Sequence, residues 1–95
     1  MPRTDVALRC VLRRHTGSAI SAETVNLGTG GMCIATPRPL TTNEIVDFDL
    51  DLSDAGSVDG RARVMRQEGY GVYGLRFEAL IEPARERLEA FTAGV

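Results

Sequence analysis

The sequence predicts a mainly β fold: a small six-stranded antiparallel β-barrel with one C-terminal α-helix. Three observations carry that prediction. Short apolar–polar alternations recur from Val6 to Phe77, each ended by Gly, Pro, Asn or Asp. The stretches between them are close turns, which suit antiparallel neighbours. Beyond them the period changes from two to three and four. With 95 residues, the natural prior is one domain, residues 1–95.

Val6 to Leu12 reads as the first strand, with Val6, Leu8, Cys10 and Leu12 on the core parity and Arg9 outward. His15-Thr16-Gly17-Ser18 supplies a hairpin turn, and a turn centred near Gly17 sets Asn26 across from about Leu8 or Arg9. A second strand covers Ala19 to Leu27, but Ile20 and Ala22 differ in parity from Val25 and Leu27, so a bulge is expected near Glu23 or Thr24. Gly31 to Thr36 is the third strand, stopped by Pro37-Arg38-Pro39. Ile45 to Leu52 is the clearest strand, with Val46, Phe48, Leu50 and Leu52 inward and Asp47, Asp49 and Asp51 outward. Ser53 to Ser57 turns the chain into Val58–Gln67, where Val58, Gly60, Ala62, Val64 and Arg66 share a parity. Glu68-Gly69-Tyr70-Gly71 turns it again into Val72 to Phe77. Pro83 then suits a helix start; Ile81, Ala84, Leu88 and Phe91 form one apolar stripe, with charged residues opposite and Gly94 at the expected stop. That stripe closes the barrel or packs on a second copy.

Composition excludes several classes. The net charge is −2, which argues against general nucleic-acid binding. The basic residues number 11, all arginine, a side chain suited to planar, bidentate recognition of phosphate or a guanine edge. No apolar run reaches the roughly 20 residues that span a bilayer, and the N-terminus lacks a secretion-signal pattern, so a cytoplasmic protein without membrane insertion is expected. Cys10 and Cys33 lack metal-ligand companions and read as reduced core thiols. His15 reads as an exposed turn residue, and no nucleophile–base pair marks an enzyme. The outward aspartates read as a solvated edge that discourages aggregation, ahead of an acidic docking face or a cation site.

The most informative segment is Asn26-Leu27-Gly28-Thr29-Gly30-Gly31, a glycine-rich turn between two strands that lets another molecule approach the backbone closely. With Gly60-Arg61-Ala62-Arg63-Val64, Tyr73-Gly74-Leu75-Arg76-Phe77 and the terminal helix, it resembles the PilZ domains, bacterial receptors for cyclic di-GMP, over nearly the whole chain. The resemblance implies a six-stranded barrel with a C-terminal helix and no enzymatic activity. It implies cyclic di-GMP as ligand, no other cofactor, and a protein effector of motility, pilus, polysaccharide or transcription machinery as partner. By the same resemblance Arg3 matches the second arginine of the Arg-x-x-x-Arg element, and Asn26, Gly28, Gly30 and Gly31 form the cradle. Arg9 is an auxiliary contact or an ordinary solvated strand arginine.

Two departures shape a rival reading. The first arginine of the element falls before residue 1, and Gly28 stands where the family has serine. A lost bidentate arginine contact and a lost neutral hydrogen bond together weaken affinity by roughly one to three decades. A degenerate adaptor that binds only proteins is therefore the alternative.

Overall fold

A computed structural model describes residues 3–80 and 83–93. Seven strands build the sheet: β1 (Thr4–Asp5), β2 (Arg9–Arg13), β3 (Ala19–Leu27), β4 (Gly31–Ala35), β5 (Ile45–Asp51), β6 (Ser57–Gly69) and β7 (Val72–Leu80). A single turn of 3-10 helix, Ser53–Ala55, joins β5 to β6, and α1 (Ala84–Ala93) follows β7. The order β3-β2-β5-β6-β7-β4 closes on itself through β3–β4, all pairs antiparallel, and β1 pairs with β3 as an extra strand. Closure leaves no open edge on the six barrel strands, which satisfies their backbone groups internally.

The inward residues fuse into one core. Leu12, Ile20, Leu27, Met32, Ile34, Val46, Phe48, Leu50, Leu52, Val58 and Val64 are buried, and Phe48 stacks on half-buried Phe77 with ring centroids 5.0 Å apart. Helix α1 lies against β6 and seals the barrel with buried Ala84 and Leu88, with Phe91 packed beside them. Arg87 ties the helix down by donating from Nη1 to the Ser57 carbonyl at 2.8 Å. The expected stripe residue Ile81 and the stop at Gly94 lie outside the described residues.

Three expectations need correction. The expected first strand, Val6 to Leu12, is strand only from Arg9 onward (β2); residues 6–8 are irregular, and β1 lies before the expected range. Thr24, buried, occupies the break: its Oγ1 donates to the Val6 carbonyl at 2.5 Å and accepts from the Leu8 N–H at 2.8 Å. Second, the bulge in β3 falls at Val25, between Thr24 and Asn26, and Val25 is pushed out to solvent. Third, β5 is an interior strand between β2 and β6, so Asp47, Asp49 and Asp51 sit on a solvated face rather than an edge. Cys10 and Cys33 are both free and buried, and burial pushes the Cys10 thiol up to about 12.

Candidate functional site: a groove across the outer barrel wall

Strict alternation would point both Asn26 and Arg66 into the core. In β3, Thr24 opposes inward Ile34, and two residues on without a bulge Asn26 would also face inward. The extra residue Val25 turns it outward, opposite Cys33. In β6, Val64 opposes inward Leu75, and Met65 is the extra residue that turns Arg66 outward, opposite Gly74. A bulge re-aims the following side chain by changing the pleat count. Here two bulges on separate strands aim Asn26 and Arg66 at the same outer face.

The registers then set one continuous row across the wall. Arg66 pairs with Gly74, Gly74 with Cys33, Cys33 with Asn26 and Asn26 with Asp5. Neighbouring strands lie about 4.8 Å apart, so the row crosses β6, β7, β4, β3 and β1. Its centre is low because Gly74 has no side chain and Cys33 a short one. A concavity of about 230 Å³ lies there, lined by Arg3, Gly30, Arg66, Glu68, Gly74 and Arg76 among others.

At one end the N-terminal arm meets the glycine turn: Arg3 Nη1 donates to Asn26 Oδ1 at 2.6 Å. The guanidinium keeps further donors for a ligand. At the other end Arg66 Nη2 lies 3.0 Å from Glu68 Oε2. That carboxylate extends over the floor. A Cβ placed on Gly74 would stand 2.8 Å from Glu68 Oε2, and the Cys33 thiol donates to Glu68 Oε1 at 3.4 Å. Burial first and the Glu68 hydrogen bond second push the Cys33 thiol up, while Arg3 and Arg66 both act on it in the opposite sense. Arginines from the two ends of the groove thus act electrostatically on one floor atom.

The predicted residues divide. Arg3, Asn26 and Gly30 come together at the groove. Gly28 and Gly31 are buried, with the Gly28 N–H donating to the Gly31 carbonyl at 2.9 Å. Gly31 is required by crowding, not by positive φ: a Cβ there would stand 2.3 Å from the Leu75 carbonyl oxygen, so only glycine lets β4 approach β7 so closely. Arg9 sits opposite Glu23, not near Asn26. A turn centred near Gly17 would bring Arg9 close to Asn26. In the structure Arg13 pairs with Ala19, which centres the turn at Thr16, and the break at Thr24 shifts the register once more, placing Asn26 opposite Asp5. Arg66, Arg76 and Glu68 were missed. The only available signal was the polar Arg66 on an otherwise apolar parity, which a bulge explains.

A larger depression, about 620 Å³, lies beside Arg14, His15, Thr41 and Glu44. Its guanidinium is already engaged, by Glu44 and by the Pro39 carbonyl. Among the described residues no group of three or more His, Cys, Asp or Glu could hold a metal ion.

The family model described as PilZ domain matches residues 1–94. No curated protein matches the chain. Among solved structures, YcgR from Escherichia coli in complex with c-di-GMP superposes with a TM-score of 0.82 at 14% identity, over 98% of this chain and 43% of that one. The Bacillus subtilis inhibitor of motility MotI/DgrA gives 0.81 at 16% identity, over 97% of this chain and 48% of that one. The PilZ domain of CeSA from a cellulose-synthesizing bacterium gives 0.75 at 18% identity, over 99% and 97%. The chain therefore spans about half the length of the first and second of these and nearly all of the third. At such identities the likeness is one of fold.

Proposed function

This chain belongs to the PilZ domain family, and we propose that it is a cyclic di-GMP-binding receptor module that passes the second-messenger signal to a partner protein. One observation carries the reading. The Arg3 guanidinium and the Asn26 carboxamide are joined at the mouth of a concavity that Gly30 also lines. A planar cation, an amide and bare main chain are the groups that a guanine edge and a phosphodiester require. YcgR, whose structure was solved with c-di-GMP, shares this barrel. The module binds rather than catalyses. It acts in the cytoplasm on an effector of motility, pilus, polysaccharide or transcription machinery, with the occupied groove as the surface the effector reads.

The rival reading, a protein-only adaptor, is favoured by Gly28, which is buried and offers no hydroxyl to the turn. Calorimetry separates the two. Titration of cyclic di-GMP should give measurable heat, with Arg3→Ala and Asn26→Ala each weakening binding about tenfold or more. Absence of heat at high micromolar ligand, from a folded protein that still forms a defined protein complex, establishes the adaptor instead.

A further inference from the structure

We propose that Arg66 is a phosphate anchor of this groove and that Glu68 is its built-in competitor, a carboxylate that an anionic ligand must displace. The proposal rests on the receptor reading for the identity of the ligand, but not for the anion chemistry.

The bulge at Met65 spends a residue of β6 to bring Arg66 to the outer face. The result is a cation with 69% of its side chain exposed, paired in the described structure with Glu68. Glu68 is itself an extra residue, lying in the register shift between Gln67 and Gly69. Its carboxylate therefore folds back across Gly74 instead of continuing the pleat. That position is the centre of the row joining Arg66 to Asn26. An anion that engages Arg66 and approaches Arg3 has to enter the volume Glu68 Oε2 occupies. Gly74 leaves room for this overlap: a Cβ there would stand 2.8 Å from Oε2 and push the flexible carboxylate aside.

The exchange balances chemically. A phosphodiester carries one negative charge and two anionic oxygens, so it replaces the carboxylate on Arg66 charge for charge and accepts the same forked donors. Glu68 then swings to water, and the Cys33 thiol donates to a ligand oxygen in its place. Arg76, 3.6 Å from Glu78, borders the same concavity and adds to its positive potential. An internal ion pair thus holds the groove closed to weak anions, and the groove opens to a ligand whose other end gains Arg3 and Asn26.

The test titrates cyclic di-GMP and, separately, inorganic pyrophosphate into the full chain and its Glu68→Gln, Arg66→Gln, doubly substituted and Arg61→Gln forms. Calorimetry gives affinity, and 15N resonances give the fold and the Arg66 Nε signal. Glu68→Gln should tighten both probes roughly three- to tenfold, and Arg66→Gln should weaken both about tenfold. The double variant should fall between the two single variants, because the carboxylate both neutralises Arg66 and occupies the volume the anion enters. Arg61→Gln should change nothing. Equal affinity across all variants for cyclic di-GMP overturns the competitor and leaves the receptor reading standing. The expected pattern with pyrophosphate alone supports the anion gate and overturns the receptor reading. No binding of either probe by the chain and by Glu68→Gln overturns both.

Discussion

Arg14, just past the end of β2, and Arg66, within β6, are held in opposite ways. Arg14 donates from Nε to Glu44 Oε2 at 2.7 Å, from Nη2 to Glu44 Oε1 at 3.0 Å and from Nη2 to the Pro39 carbonyl at 2.7 Å. Glu44 in turn accepts from the Thr41 N–H at 3.1 Å. The pair is mostly covered, with 24% and 19% of its side chains exposed, and it pins the loop between β4 and β5. Arg66 has 69% of its side chain exposed and is paired with a carboxylate two residues along its own strand. A bidentate pair closed by backbone groups is a structural clamp. A cation neutralised by one movable acid over an open floor can change partners. Saturation and exposure, not residue type, separate an arginine that holds the fold from one free to change partners.

The strongest challenge to this contrast is Gly31→Val, which tests whether the groove has a rigid backbone beneath its exchangeable side chains. The added Cβ meets the Leu75 carbonyl at 2.3 Å, so the β4–β7 seam must part. The expected loss is on the order of 3 kcal/mol or more, seen as a melting temperature lower by roughly 10 °C or more. A Gly31→Val protein with unchanged melting would show the floor to be pliable.

Arg14→Ala comes next. Loss of a covered, charge-assisted clamp should cost about 2 kcal/mol and leave the cyclic di-GMP affinity within about twofold. The acid limb should report the same clamp. The Arg14 hydrogen bond holds the Glu44 carboxyl below its ordinary value of 4.5. Its stabilisation is therefore present above that value and fades as pH falls through the lowered one. Acid unfolding of Glu44→Gln should lose that component, measured by denaturant midpoints between neutral pH and about pH 3.

The two thiols sharpen the comparison between interior and groove. Cys10 is neutral inside the barrel, with its pKa raised from 9.0 to about 12. A raised native value means that stability is intact below the unfolded pKa and declines as pH climbs toward the native one. The Cys10 contribution alone should fall by about 1.4 kcal/mol per pH unit above roughly pH 9 in denaturant titrations. Cys10→Ala should flatten that slope. Cys33→Ala should flatten the alkaline decline too, through the groove-floor thiol whose ionisation burial first and Glu68 second oppose.

The smallest effect belongs to Arg61→Ala. Its 3.4 Å contact with Asp47 joins side chains 55% and 52% exposed, so the expected change is under about 0.5 kcal/mol with no change in ligand affinity. A larger stability loss would mean that exposed pairs on this barrel matter as much as the clamp.

Much of the fold was legible because alternation reports burial directly. Val46, Phe48, Leu50 and Leu52 declared β5, and Ala84 and Leu88 declared the sealing face of α1. The Asn26–Gly31 turn was legible because glycine marks close approach, here that of Gly31 to β7. What alternation cannot report is a change of its own phase. The bulge at Val25 was expected nearby, from a visible parity conflict between Ile20 and Leu27. The bulge at Met65 left one polar residue out of step, Arg66, and a lone exception at a strand's end carries little weight. Hairpin register was misread by the same logic, since a turn centred one residue earlier and a break at Thr24 move every later pair. Half of the groove was therefore hidden by shifts of single residues.

The most direct measurement of the central claim is a calorimetric titration of cyclic di-GMP run in parallel on Arg3→Ala and Arg14→Ala, each with its melting curve. A crossed result is expected: Arg3→Ala melts like the parent but binds about tenfold or more weakly, whereas Arg14→Ala melts roughly 10 °C lower and binds like the parent. Parent-like binding by Arg3→Ala would contradict it, because the arm and the glycine turn would then share a hydrogen bond without sharing a ligand.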